Sequence, residues 1–129
     1  MKDMERIKTS KRLVTSTVIA ILLLTALEFP APIGFETRPQ SAVSPLWLIF
    51  FLIIAISELA VIPLIYKHPK SAAKLGIFVG ILNILQVLAD QFHLIQPEIA
   101  TVAYSLLEYM VVLMSFALIY FSYKLMREY

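Results

Sequence analysis

Residues 46–66 read LWLIFFLIIAISELAVIPLIY, an apolar stretch long enough to cross a bilayer with one carboxylic acid, Glu58, inside it. A spanning helix needs about 20 predominantly apolar residues. An acid in mid-helix costs roughly 2.5–3.5 kcal/mol on insertion scales. The same combination recurs in three other runs: about 13–29 with Glu28, 72–94 with Asp90, and 97–123 with Glu108. No Lys or Arg lies deep enough in these runs to pair with the acids. Four such acids demand an explanation beyond cohesion.

The rest of the chain agrees with the runs. Its composition is 60% hydrophobic, with a mean hydropathy of +0.82, too apolar for a soluble domain of this length. Ten of the 11 Lys and Arg residues fall in the N-terminal arm, the turn at Lys67–Lys74, and the C-terminal end; the other connections hold only Arg38. The positive-inside rule then places both termini and the middle turn in the cytoplasm and fixes four crossings. The expected fold is all-α, an integral membrane up-down four-helix bundle in the plasma membrane. A basic cytoplasmic arm occupies residues 1–12, a single transmembrane domain 13–125, and a cytoplasmic tail 126–129. Glu28-Phe29-Pro30-Ala31-Pro32 follows the first run without a small-residue cleavage site, so that run is expected to be a retained span. The loop 31–44 is proline-rich and expected on the outer side. Trp47 and Tyr66 are placed as interfacial anchors, and Pro63 predicts a kink.

Helical periodicity aligns the polar residues. Asn83, Gln86, Asp90 and His93 share an arc of roughly 80° on the third run. On the fourth, Thr101, Ser105, Glu108, Ser115 and Ser122 recur at steps of three, four and seven. The two stripes should face each other inside the bundle. A rise of ~1.5 Å per residue puts Glu28 and His93 near the outer interface, with Asp90 below them. Glu108 and Gln86 lie deeper still, and Glu58 and Asn83 past the midplane. This predicts a carboxylate ladder opening outward, with Asp90, Glu108, Gln86, Asn83, Glu58, Ser105 and Tyr104 as candidate proton-, cation- or ligand-binding residues. Interhelical hydrogen bonding is the bland alternative, worth about 0.6 kcal/mol per contact.

Other chemistries are narrower. His93, Asp90 and Glu28 form a candidate mixed N/O metal set. Haem with two histidine ligands is not expected, because His68 lies on the other side of the membrane from His93. The chain has no cysteine, which removes disulfides, thiolate metal sites and Cys-ligated iron–sulfur clusters. An apolar cavity edged by Tyr104, Gln86 and Glu108 is a candidate quinone or lipid site. Nucleic acid is not an expected partner; the basic residues read as topology anchors.

The stretch from Ser57-Glu58-Leu59 to His93-Leu94 resembles the DoxX-like group of small four-helix membrane proteins. The shared features are a Glu inside the second helix, a short basic turn, a third helix bearing Ala72-Ala73-Lys74-Leu75-Gly76, and a His near its end. The resemblance implies a small subunit associated with membrane redox or quinone chemistry, with Glu58 and His93 at the matching polar positions. The leading expectation is therefore an accessory subunit of a multi-subunit membrane complex, respiratory or redox in type, not an enzyme on its own. The alternatives are a homo-oligomeric proton or cation transporter or channel, and a lipid- or quinone-binding membrane enzyme. The expected partners are the lipid bilayer and other membrane subunits or further copies of the chain.

Overall fold

The computed structural model describes residues 2–28, 45–92 and 102–128, apart from the side chains of residues 2, 3, 5–10, 47 and 102–104. It is all-helical. The helices are α1 (Lys2–Glu28), α2 (Pro45–Lys67), α3 (Pro69–Gln91) and α4 (Val102–Glu128). Among the described residues three segments are long and apolar enough to cross a membrane: Leu48–Lys67, Pro69–Gln91 and Ser105–Glu128, with mean hydropathies of 2.8, 1.9 and 1.7. The helix that carries the first apolar run starts well before it, at Lys2, so the basic arm continues the same helix. The loop 31–44, Thr101, His93 and the side chains of Trp47 and Tyr104 lie outside the described residues.

The turn between α2 and α3 is one residue, His68. Pro69 explains it. A proline disfavours helical backbone in the residue before it, and it fits the first helical position, where its missing N–H is not needed. His68 accordingly leaves the helix at φ −137° and ψ 75°, while its N–H donates to Leu64 O at 2.7 Å and its carbonyl accepts from Ala72 N at 2.9 Å. Such a tight link makes α2 and α3 antiparallel neighbours. α2 itself continues through Pro63 to Lys67.

Each helix buries a stripe at alternating three- and four-residue steps. On α4 it is Glu108, Val111, Ser115, Leu118, Ser122 and Leu125; on α2 it is Ile54, Glu58, Val61 and Ile65. This spacing is that of shallow left-handed helix packing. α3 packs most extensively, on α4, and α1 rests on α4 and α2 on α3, whereas α1 and α2 meet least. Small residues permit the closest approach. Gly76 faces Ser122 and Leu118, and Gly80 faces Ile119 and the Ser115 carbonyl. Ala72, Gly76 and Gly80 thus form a small-residue seam against α4.

The polarity is inside out relative to a soluble bundle. Large apolar side chains such as Ile53, Ile56, Leu85, Leu113 and Phe116 are exposed, while Glu28, Glu58, Asn83, Asp90 and Glu108 are buried. This ordering of polar core and apolar exterior is what sets the site.

Candidate functional site

The buried polar groups collect at two levels. The first centres on Glu58 of α2, which is fully buried. Its Oε2 lies 2.8 Å from Thr25 Oγ1 of α1, and its Oε1 accepts from Asn83 Nδ2 of α3 at 3.2 Å. A side-chain hydrogen bond also joins Glu58 to Glu28 of α1. Three helices therefore converge on one carboxyl group. Two of its neighbours keep an unsatisfied acceptor: Glu28 Oε1 and Asn83 Oδ1 are buried without a hydrogen-bond partner among the described residues. Thr25 Oγ1 also reaches Ile21 O at 2.8 Å, so one hydroxyl hydrogen faces two acceptors. A hydroxyl can donate only once.

The second level lies between α3 and α4, about two turns along each helix. Gln91 Nε2 donates to Glu108 Oε2 at 2.7 Å and approaches Ser105 Oγ at 3.3 Å. Asp90 is buried on the adjacent face of α3, 1% exposed. Near the first level α4 offers Ser115, whose hydroxyl donates to Val111 O of its own helix at 2.7 Å and so does not bridge. Below the first level Ser122 Oγ is buried without a partner beside Gly76.

Several expectations from periodicity are corrected by this geometry. Glu28 and Glu58, expected at well-separated depths, stand at one level: Glu28 is buried and meets Glu58. The residue that reaches Glu108 is Gln91, not Gln86. Gln86 instead lines a groove of about 200 Å³ between α2 and α3, together with Phe50, Ile54, Leu82, Leu85 and Ala89, and its Nε2 is unpaired there. The candidate metal set loses its common level, because Glu28 is engaged with Glu58; His93 lies outside the described residues. Among the described residues no three His, Cys, Asp or Glu side chains gather as a metal site. The edge that Tyr104 was expected to form also lies outside them.

Two participants escaped the sequence reading, Thr25 and Gln91. Thr25 sits one turn before Glu28 in the first apolar run, and that i, i+3 polar pair was the signal. Gln91 stands 100° away from Asp90 on an ideal helix, off the predicted stripe; only the side on which α4 packs brings it inward.

No protein-family model, curated protein or solved structure matches this chain.

Proposed function

We propose that the chain is a small integral membrane subunit of a larger membrane complex, with its carboxyl-lined interior holding protons or a cation for that complex. In this reading the four helices cross the plasma membrane and both termini face the cytoplasm. One observation carries it: the acids of the apolar helices are buried between helices in two organised centres, while the exterior is apolar. In hydrocarbon, ionisable residues face the bundle interior and mark ion or proton paths. The resemblance to DoxX-like proteins belongs to the same proposal, with Glu58 at the heart of the first centre.

Two further readings each have one favouring observation. The two polar levels, stacked along α3 from Asn83 to Asp90, suit stepwise transfer by a homo-oligomeric transporter. The α2–α3 groove, with its free Gln86 amide, suits a lipid or quinone carbonyl.

Purification from native membranes in mild detergent tests the assignment. A stable complex of different subunits is expected. Its activity should fall in Glu58→Gln and Glu108→Gln, with the bundle still folded by thermal melt. A homo-oligomer alone would favour the transporter. Full activity in both folded isosteres would leave the acids as interhelical hydrogen-bonding groups.

A further inference from the structure

A purely cohesive polar contact is complete when each buried donor and acceptor is matched. The Glu58 centre is not complete. Glu28, 6% exposed, and Asn83, fully buried, each present an unpartnered oxygen. The Asn83 amide is turned into the centre, since its Nδ2 is on Glu58. The surplus is in acceptors, so the missing group is positively charged or a donor.

The donor set defines what fits. Glu28 and Glu58 carboxyl oxygens, Thr25 Oγ1 and the Asn83 carbonyl come from three helices and are all hard oxygen ligands, the set preferred by hard cations. Turning the Asn83 amide over puts Oδ1 where Nδ2 now meets Glu58, with almost no change of shape. The charge also fits. A hydrogen bond between two carboxyl groups requires a proton on at least one of them, so the pair carries at most one negative charge, the charge that a single monovalent cation would balance. The buried titratable groups on the other packed helices are acids, Asp90 on α3 and Glu108 on α4, while Tyr109 and Tyr120 of α4 are exposed. The two acids stand seven residues from Asn83 and Ser115, or ~10 Å along the axes. The described Lys and Arg side chains are exposed, none nearer than nine residues along its helix to Thr25, Glu58 or Asn83, and offer no counter-charge. Thr25 and Asn83 touch Glu58 directly, at 2.8 and 3.2 Å, so an ion would enter by replacing these contacts and would have to be small.

We propose that Glu28, Glu58, Thr25 and Asn83 form an intramembrane binding site for a small monovalent cation, with Na⁺ as the occupant. The proposal rests on the reading that the buried acids hold protons or a cation, and it names the ion and the ligands.

The test uses the full chain, in its complex where one co-purifies, in detergent with NaCl exchanged for choline chloride at constant ionic strength. Equilibrium binding of radioactive Na⁺ should saturate near one ion per chain. The melting temperature should rise with Na⁺ and not with choline, as expected for a ligand that binds only the folded state. Glu58→Gln and Asn83→Leu should abolish both responses, and Thr25→Val should weaken them. Glu108→Gln should leave them intact. Should Glu58→Gln fail to fold, Glu28→Gln and Asn83→Leu carry the same comparison. No Na⁺ binding and no Na⁺-specific shift in the folded wild-type chain would overturn the proposal, as would a response that survives both Glu28→Gln and Asn83→Leu. The broader reading fails separately: it falls if the folded isosteres keep full activity, and it stands without the cation if activity is lost while Na⁺ has no effect.

Discussion

Gly80 sits where α3 approaches the backbone of α4. A Cβ at this position would lie 2.5 Å from Ile119 Cγ1, 3.0 Å from Ile119 Cδ1 and 3.1 Å from the Ser115 carbonyl oxygen. Carbon contacts are favourable at about 3.5–4.0 Å, so Ile119 must retreat by about 1 Å. It cannot do so by an easy rotation, because a β-branched residue in a helix has one strongly preferred χ1. The Ser115 oxygen is main chain and yields only if α4 shifts. Gly80→Ala should therefore carry an overpacking cost of about 1–3 kcal/mol. The gain in helix propensity, about 0.8–1.0 kcal/mol, opposes it. The net expectation is a loss of up to about 2 kcal/mol, with the sign set by packing. Adding Ile119→Ala removes both close carbon contacts, and Gly80→Ala in that background should be neutral or stabilising. The double-mutant cycle should then show a coupling of about 1–3 kcal/mol. Reversible unfolding in mixed micelles, followed by circular dichroism, measures all four corners. If Gly80→Ala stabilises the wild-type chain by the full propensity gain and the cycle is additive, α3 and α4 do not meet in this register.

Three other outcomes follow from the buried contacts and the charge pattern. Glu58→Leu should destabilise the bundle by about 1–3 kcal/mol by leaving the Asn83 amide unmatched, since Thr25 keeps the Ile21 carbonyl, whereas Glu58→Gln should cost much less in the same unfolding assay. Gln91→Leu should cost about 0.5–1.5 kcal/mol by removing a hydrogen bond to Glu108 Oε2, while Gln86→Leu, which removes an amide nitrogen that has no partner among the described residues, should be neutral or stabilising; equal losses in both would contradict the contact at 2.7 Å. A cysteine introduced at Ser41 should react with an impermeant reagent applied from outside intact cells and one at Ser71 should not; the reverse pattern would overturn the topology.

The helices were legible because hydropathy and length are local properties. The run containing Glu58 and the Pro69 turn each specify their own backbone, and the chain folds there as expected. The inward direction of Asn83, Asp90 and Glu108 was legible for a related reason: 100° per residue relates side chains on one helix without reference to any other. Relations between helices were not. Gln86 and Gln91 lie either side of Asp90 on the helical wheel, and periodicity alone favoured Gln86. The packing of α4 against the Gly76–Gly80 side of α3 turned Gln91 to Glu108 and left Gln86 against α2.

Axial register between helices is harder still, and Glu28 shows why it matters. Counting residues from the end of an apolar run assumes that every helix meets the interface where its hydropathy changes. α1 breaks that assumption, because its helix begins at Lys2 and its height is set by the partners it finds. Of the neighbouring helix pairs, α1 and α2 make the least contact. Apolar surface in hydrocarbon gives little preference for one height over another, since lipid and side chain are equally apolar. Thr25 and Glu28 on Glu58 are directional contacts, and a slide of α1 by one turn, ~5.4 Å, would break both. The acid pair therefore fixes the register of α1 against α2, while the larger face of α1 packs on α4. Under the proposed cation site, an ion that joins the pair would also hold that helix in place against α2, so Na⁺ should slow exchange of the α1 backbone amides near Thr25 in the wild-type chain and not in Glu58→Gln.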